Sequence, residues 1–233
     1  MNILRNKNIK LAIFDMAGTT VQENGIIYNV LYYTLNSFNL DVNKKDIKSW
    51  HGLNKYDVLD KYLTTRAGYC SKCNNNNIEK LKINVYKTFE SNLKQEYFYS
   101  DKISLMDEKI PEIFDKMRYN GIKIALNTGY PRDIQEEIIN KLHMKDFINS
   151  YISSEDVQYS RPYPYMIFSS MEKHKIQSTQ QVIKVGDTTN DILEGLNAGC
   201  YKSIGVLTGA ENKEELVNAG ANFVIDSVVN LID

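Results

Sequence analysis

The residues whose types and spacing could support chemistry are two aspartates, a threonine and an arginine. They are Asp15 in DMAGTT, Thr128 in NTGY, Arg161 in SRPYP and Asp187 in VGDTTND. A carboxylate can attack phosphorus and form an acyl-phosphate, which divides one difficult displacement into two easier steps. Because the attacking carboxylate and the phosphoryl group are both anionic and repel each other, a hard cation must lie between them. The carboxylates of Asp15 and Asp187 supply oxygens that suit Mg²⁺.

The other candidates would hold the phosphoryl oxygens. Gly18 lets the backbone turn so that N–H groups face those oxygens. The hydroxyl of Thr128 and the N–H of Gly129 can donate to the same oxygens. Arg161 offers a rigid fork of donors and a permanent positive charge.

Each candidate has a structural alternative when it is taken alone. An aspartate at the end of a strand commonly caps a helix or forms a turn, and Asp187 and Asp191 could each cap a helix at 189–198. Arg161 could be a surface residue before a proline-rich helix start. The catalytic interpretation depends on all of them occurring together at predicted strand ends.

Short apolar runs indicate the strands that would position these residues. The runs are 10–15, 122–128, 182–187, 203–207 and 223–226. Continuous apolar runs are typical of strands buried on both faces, as in a parallel sheet. Amphipathic helical stretches lie between them, near 107–120, 131–143 and 189–198. Gly121 and Gly199 end the first and third, and Pro131 opens the second at position N1.

The stretch from 22 to 102 interrupts this alternation, because it contains helical spacing and no convincing buried strand. Its predicted helices are 28–38, 55–67 and 78–98. The sequence therefore predicts an α/β fold, a doubly wound parallel sheet with a Rossmann-like core, carrying an inserted helical domain. The core would comprise 1–21 and 103–233, and the inserted lobe would comprise 22–102.

The bulk composition excludes several classes of partner. A net charge of −1 gives no electrostatic case for nucleic acid or an anionic membrane. Neither a spanning helix nor a signal peptide is recognised, so a cytoplasmic location is expected. Cys70 and Cys73 form a lone C-x-x-C that reads as a polar loop with reduced thiols rather than a metal site. The aromatic content of the helical lobe suggests a homodimer.

At these residues the chain resembles the haloacid dehalogenase superfamily. The nucleophile motif matches Asp15 to Thr19, and the second motif matches Thr128. The basic residue matches Arg161, and the acidic motif matches Asp187 and Asp191. The resemblance covers nearly the whole chain and implies an aspartyl-phosphate intermediate with Mg²⁺.

Two departures point to a narrower group. Most phosphatases of this superfamily carry a second aspartate as general acid where this chain has Ala17, and most use lysine where it has Arg161. In both positions the chain resembles the group that comprises phosphonoacetaldehyde hydrolase and its phosphonatase-like relatives. The strings DMAGTTV, NTGYPR, SRPYPYM and IKVGDTTNDILEGLNAG resemble that group in detail. The lobe at 22–102 takes the place of the family's cap domain.

The resemblance also implies a Schiff-base lysine in the cap. The matching string is HGLNK, which gives that role to Lys55. Alternatively, Lys55 is a solvated lysine in the first turn of a helix. Phosphonatase has methionine at the position of His51 and histidine at the position of Val58. His51 is therefore either a substitute proton carrier or a helix-end residue.

Three hypotheses follow for the activity. The first is hydrolysis of a small 2-oxoalkyl phosphonate, with an imine on Lys55 and phosphoryl transfer to Asp15. The second is a phosphomonoesterase acting on a small phosphometabolite, and the third is a module that binds such a compound without turnover. Under the first hypothesis, phosphate or substrate contacts come from Gly18, Thr19, Thr128, Gly129, Tyr130 and His51. The expected Mg²⁺ ligands are Asp15, the backbone carbonyl of Ala17, Asp187 and Asp191.

Overall fold

The computed structural model describes residues 3–66, 76–99 and 102–232. Within these ranges the strands are β1 (Leu11–Asp15), β2 (Val21–Gln22), β3 (Ser104–Leu105), β4 (Lys123–Thr128), β5 (Ser150–Ser153), β6 (Val182–Gly186), β7 (Lys202–Val206) and β8 (Phe223–Ile225). The α-helices are α1 (Ile26–Ser37), α2 (Lys55–Arg66), α3 (Asn76–Tyr99), α4 (Ile110–Tyr119), α5 (Arg132–Lys141), α6 (Tyr165–His174), α7 (Thr189–Ala198) and α8 (Lys213–Asn218).

Six of the strands form one sheet in the order β5-β4-β1-β6-β7-β8, and every neighbouring pair is parallel. The predicted doubly wound parallel sheet is confirmed. The chain builds β4 and β5 on one side of β1 and then crosses to build β6, β7 and β8 on the other. This reversal beside β1 leaves a crevice at the carboxyl ends of the strands, where ligands bind in open α/β folds.

Apolar side chains cover both faces of the sheet, as the continuous runs predicted. On β1, Leu11 and Ile13 pack into one cluster with Ile167, while Phe14 belongs to the larger cluster on the opposite face. The ring of Phe14 lies 4.6 Å from that of Phe114 on α4. Burial on both faces fixes the strand that ends at the candidate nucleophile.

Helices α1, α2 and α3 pack against one another, and an additional 3₁₀ helix at Lys44–Trp50 packs on α1. Aromatic contacts fill their interior, among them Trp50 against Tyr62 and Tyr56 against Phe89. Strands β2 and β3 pair antiparallel, with Val21 opposite Leu105. The chain therefore leaves the sheet after β1 and returns to the same place after α3.

Some elements differ from those predicted. Strand β5 was missed because its sequence, SYIS, is short and half serine, so it lacks the apolar run that marked the other strands. Pro131 lies at the N-cap position rather than at N1 of α5, and Gly121 and Gly199 adopt the positive φ expected of residues ending a helix. Cys70 and Cys73 lie outside the described residues. No described helix has the length and apolar character required to cross a bilayer.

Candidate active site

The carboxyl ends of three strands bring the candidate residues together. Asp15 is the last residue of β1 and lies beside Asn127 of β4 in the sheet register. Thr128 ends β4, and Asp187 directly follows β6. Asp15, Thr128 and Asp187 are all buried. Because parallel strands end at the same edge, Asp15 and Asp187 meet in one crevice although they lie 172 positions apart in the sequence (187 − 15).

Arg161 reaches this crevice from the loop between β5 and α6. Its Nη1 lies 2.7 Å from Asp15 Oδ1 and 3.0 Å from Asp191 Oδ1. Its Nη2 donates to the backbone and side-chain oxygens of Asn127 at 2.9 and 2.7 Å, and its Nε donates to Glu194 at 3.2 Å. Arg161 is 3% exposed, so the surface alternative is wrong for this residue. All three guanidinium nitrogens of Arg161 therefore donate hydrogen bonds, and these bonds fix the positive charge beside Asp15.

A second buried cation, Lys184, was not anticipated from the sequence. Its Nζ donates to Asp191 Oδ1 at 2.7 Å and to Asn127 Oδ1 at 3.0 Å, and it lies 3.7 Å from Glu194. Lys184 and Asn127 interrupt the apolar strands VIKVG and KIALNT, and such interruptions are the signal that would have found them. Asp191 and Glu194 lie three residues apart on α7 and therefore share one face.

Three carboxylates could hold a metal ion at this point. Asp15, Asp187 and Asp191 each offer one oxygen, and the three oxygens lie within 4.8 Å of one another. Asp187 Oδ1 accepts a hydrogen bond from the hydroxyl of Thr19 at 2.9 Å, and its Oδ2 accepts one from the N–H of Ala210 at 2.8 Å. A cluster of buried oxygen ligands is the donor set that hard divalent cations prefer.

The three aspartates differ in their electrostatic surroundings. Burial, together with Asp15 and Asp191, raises the pKa of Asp187 well above its usual range. Burial and the charge of Asp191 also raise the pKa of Asp15, against the opposing effect of Arg161. Burial would raise the pKa of Asp191 too, but Arg161 and Lys184 outweigh it and lower that pKa. Asp15 and Asp187 thus hold negative charge that is incompletely balanced, and this pair fits a divalent cation.

The N-cap of α7 is neither Asp187 nor Asp191, the two residues that the sequence offered for this role. Thr188 is the N-cap of α7, and its side-chain oxygen accepts from the N–H of Asp191. The Thr188 hydroxyl in turn donates to Asp191 Oδ2 at 2.5 Å. The carboxylate of Asp187 faces the DMAGTT loop instead.

The loop after β1 folds back on itself. The N–H of Gly18 donates to Val21 O at 2.9 Å, and the N–H of Thr19 donates to Met16 O at 3.2 Å. Gly18 has a φ of 82°, which favours glycine. The hydroxyl of Thr19 is engaged by Asp187, so Thr19 positions that carboxylate. The structure does not bring these groups to a free phosphate-facing orientation, and phosphate binding by Gly18 and Thr19 stays a prediction.

Lys55 lies over the crevice at the start of α2. It is 4% exposed, so the alternative of a solvated lysine is wrong. Its Nζ donates to Leu53 O at 2.9 Å and to Trp50 O at 3.4 Å, and it lies 4.8 Å from the centre of the Tyr28 ring. Burial lowers the pKa of Lys55 to about 8, although the charges of Glu23 and Asp15 act in the opposite direction.

One pocket brings the amine and the carboxylate together. Its walls include Asp15, Ala17, Lys55, Thr128, Gly129, Tyr130 and Arg161. The approach of the helical segment to the sheet edge depends on Gly129, because a Cβ there would lie 2.6 Å from Leu53 O. Asn54 also donates to Ser154 at 2.9 Å, and Asn190 donates to His51 O at 2.7 Å. These contacts hold the segment that carries Lys55 above the strand ends.

Thr128 and Tyr130 are linked at the pocket wall. The N–H of Tyr130 donates to Thr128 Oγ1 at 3.2 Å, which leaves the hydroxyl hydrogen of Thr128 available as a donor. The ring of His51 contacts that of Tyr28 in a tilted arrangement, with ring centres 4.8 Å apart and an interplanar angle of 58°. It lines an adjoining cavity of about 400 Å³, together with Ala17 and Asp187. His51 thus lies on the side of the crevice that carries Asp187 rather than in the pocket of Lys55.

Comparisons with known proteins agree with this geometry. Residues 12–206 match the family described as haloacid dehalogenase-like hydrolase. The chain is 29% identical to phosphonoacetaldehyde hydrolase of Parabacteroides distasonis, over 97% of this chain and 95% of that protein. It is 27% identical to a bifunctional phosphonoacetaldehyde hydrolase/aminoethylphosphonate transaminase of Clostridioides difficile, over the whole of this chain and 40% of that longer protein.

Solved structures support the same fold. The crystal structure of a phosphonoacetaldehyde hydrolase-like protein from Oleispira antarctica superposes with a TM-score of 0.75 at 24% identity, covering 96% of this chain and 90% of that one. A haloacid dehalogenase-like hydrolase from Bacteroides fragilis gives a TM-score of 0.76 at 16% identity, covering 96% of this chain and all of that one. The fold, the gathered aspartates and the matched residues lead to one assignment: the chain belongs to the haloacid dehalogenase-like hydrolase family.

Proposed function

We propose that the protein is a Mg²⁺-dependent hydrolase that cleaves the carbon–phosphorus bond of a small 2-oxoalkyl phosphonate such as phosphonoacetaldehyde. The observation that carries the proposal is the buried amine of Lys55, which shares one pocket with Asp15, Thr128 and Arg161. With its pKa lowered to about 8, a useful fraction of this amine is neutral near pH 7 and can attack a carbonyl carbon.

Ala17 is consistent with this substrate. Cleaving a carbon–phosphorus bond would expel a carbanion, which is a poor leaving group. A protonated imine next to that carbon accepts the electron pair, so an enamine leaves instead. This leaving group needs no proton from position 17, whereas an ester oxygen does.

The proposed sequence begins with attack of Lys55 Nζ on the carbonyl carbon, followed by loss of water to give the iminium. Asp15 then attacks phosphorus, and the electrons of the carbon–phosphorus bond move into the enamine. Arg161, Thr128 and the N–H of Gly129 hold the phosphoryl oxygens. A proton from water then converts the enamine to an iminium, and water finally hydrolyses the aspartyl-phosphate on Asp15 and the iminium on Lys55.

The metal site would use Asp15 and Asp187, with the Ala17 carbonyl as a further oxygen ligand. Asp191, already paired with Arg161 and Lys184, would support it directly or through water. Mg²⁺ bound there would offset the repulsion between the aspartate nucleophile and the substrate dianion. We further propose that 22–102 is a cap domain on a core of 1–21 and 103–233, with the entry and exit paired through β2 and β3.

A phosphomonoesterase of the same family is the second candidate. The observation that favours it is the hydrogen bonding of Lys55, whose Nζ donates to two backbone carbonyls; under this candidate function the amine has a structural role. Val58, where phosphonatase has histidine, is buried and apolar. Under this alternative another group or water would protonate the ester leaving group that Ala17 cannot serve.

A substrate panel separates the two activities. The protein is incubated with Mg²⁺ and either phosphonoacetaldehyde or a set of phosphate monoesters, and released phosphate is measured. The proposal predicts release from the aldehyde, loss of that release in Lys55→Ala, and loss of all turnover in Asp15→Ala. Turnover of esters alone, unaffected by Lys55→Ala, would establish the second candidate and overturn the first.

A further inference from the structure

A buried carboxylate beside the pocket has no role in the steps above. Glu23 follows β2 and is 4% exposed. It lines the adjoining cavity of about 400 Å³ with Ala17 and Tyr28. A carboxylate is rarely buried without a partner that compensates its charge, so its surroundings need an explanation.

Two tyrosines surround Glu23 from different elements. The hydroxyl of Tyr97, on α3, donates to Glu23 Oε2. The hydroxyl of Tyr130, from the loop after β4, also hydrogen-bonds the Glu23 carboxylate and lies 3.4 Å from the hydroxyl of Tyr97. Both rings are buried, with their centres 5.6 Å apart. Since Tyr130 also forms part of the wall of the Lys55 pocket, its hydroxyl joins Glu23 to that pocket.

The surroundings of Glu23 bring its pKa close to neutral pH. Burial raises the pKa of Glu23 to about 7, against hydrogen bonding from Tyr130 and the positive charge of Lys55, while the charge of Asp15 adds to the increase. Burial also raises the pKa of Tyr130 well above its usual range, so that phenol keeps its proton and can relay one. A carboxyl group with this proton affinity can both donate and accept near neutral pH.

We propose that Glu23 is the proton carrier for the imine chemistry of Lys55, exchanging protons with the substrate through the hydroxyl of Tyr130. This inference rests on the proposed function, because it requires an imine. It assigns to Glu23 and Tyr130 the proton transfers that neither Ala17 nor Val58 can perform.

The proton balance closes over one cycle. Neutral Lys55 adds to the aldehyde and gives a neutral carbinolamine. The Glu23 carboxylic acid supplies one proton through Tyr130, the carbon–oxygen bond breaks, and water leaves behind the iminium. After phosphoryl transfer, a proton from water converts the enamine to a new iminium, and the hydroxide left behind is neutralised by the proton released when water hydrolyses the aspartyl-phosphate on Asp15. A water molecule then attacks that iminium carbon and gives its proton through Tyr130 to the Glu23 carboxylate, and the carbinolamine collapses to aldehyde and free amine.

The direct test measures how fast the imine forms. The full-length protein is mixed with phosphonoacetaldehyde, quenched with borohydride at increasing times, and the reduced adduct is quantified by mass spectrometry. Glu23→Gln is expected to slow adduct formation about 100-fold, the contribution typical of a positioned general acid. Glu90→Gln is the matched control, because Glu90 accepts a similar hydrogen bond from Tyr56 at 2.8 Å outside the pocket. It is expected to react at the wild-type rate.

Binding of inorganic phosphate, measured by calorimetry, shows whether the Glu23→Gln variant keeps a folded site. If that variant fails to fold, the pH dependence of adduct formation in Tyr97→Phe tests the role of Glu23 instead. Tyr97 stabilises the Glu23 anion, so its loss should move the decline of the trapping rate at high pH to still higher pH. Lys55, Tyr28, Tyr130 and Asp15 also surround Glu23 and remain unchanged in that variant.

The outcomes separate this inference from the proposed function. Adduct formation at the wild-type rate in Glu23→Gln, or an unmoved pH profile in Tyr97→Phe, would overturn the role of Glu23 and leave the imine on Lys55 standing. If the wild-type protein forms no adduct, the proposed function fails and this inference fails with it. Slow trapping with intact phosphate binding supports both.

Discussion

Replacing Lys55 with methionine tests the effect of burial on the pKa of its amine. The side chain is 4% exposed and its pKa lies at about 8, below the ordinary value of 10.5, because burial penalises the charged form. In the unfolded chain the amine regains its ordinary proton affinity. The wild-type protein therefore carries a destabilising penalty that Lys55→Met, of similar length and without charge, does not carry.

The penalty has a defined pH window. Below about pH 8 the amine is protonated in both states, so the full cost of the shifted pKa is present, about 3 kcal/mol at 1.36 kcal/mol per pKa unit. Between pH 8 and 10.5 the folded protein has lost the proton that the unfolded chain still binds, and stability rises with pH. From pH 7 to pH 10 the wild-type protein should gain about 2.5 kcal/mol relative to Lys55→Met.

The assay is urea denaturation of both proteins at a series of pH values from 7 to 10, in the absence of metal. The free energy of unfolding is compared as a difference between the two proteins at each pH, which cancels the titration of groups that they share. Lys61→Met is the matched control, since Lys61 lies exposed on the same helix. A difference between wild type and Lys55→Met that stays constant across this range would refute the depressed pKa of the amine.

Three further changes test the rest of the site. Asp187→Asn should weaken Mg²⁺ binding by at least about 100-fold in calorimetry. It should also raise the melting temperature in chelator, because it removes a buried carboxylate beside Asp15; unchanged metal affinity would contradict the assignment. Glu194→Gln should lower the free energy of unfolding by about 3 kcal/mol in urea titrations, because Arg161 loses a buried partner; a neutral effect would contradict it. Gly129→Ala should raise KM in steady-state kinetics and lower the free energy of unfolding, because its Cβ would lie 2.6 Å from Leu53 O and displace the segment above; an unchanged KM would refute that contact.

The strands carrying the chemistry were predictable because their sequences are unambiguous. The runs at β1, β4 and β6 are predominantly apolar, interrupted inside β4 by Asn127 and inside β6 by Lys184, and each ends in or next to a polar residue or glycine. A parallel sheet then forces those ends to one edge, whatever the details of packing. Strand β5 was not predicted because half of its residues are serines. Its position in the sheet depends on pairing with β4 rather than on its own composition.

The buried charges could not be predicted in the same way. Asn127, Lys184 and Glu194 lie on three different elements, and their mutual hydrogen bonding and charge compensation appear only when β4, β6 and α7 are packed together. Glu23 lies in a polar stretch that reads as a surface turn, and only the tyrosines from α3 and the β4 loop reveal it as buried. Hydrophobic periodicity reports which residues meet the core, but it does not report which polar residues pair there.

The measurement that tests the central claim most directly is peptide mapping of the protein after incubation with phosphonoacetaldehyde, Mg²⁺ and borohydride. The account predicts a reduced adduct on the peptide that contains Lys55, formed together with phosphate release, and its absence in Lys55→Arg. Phosphate release from the aldehyde with Lys55 unmodified, or release from phosphate esters alone, would contradict it.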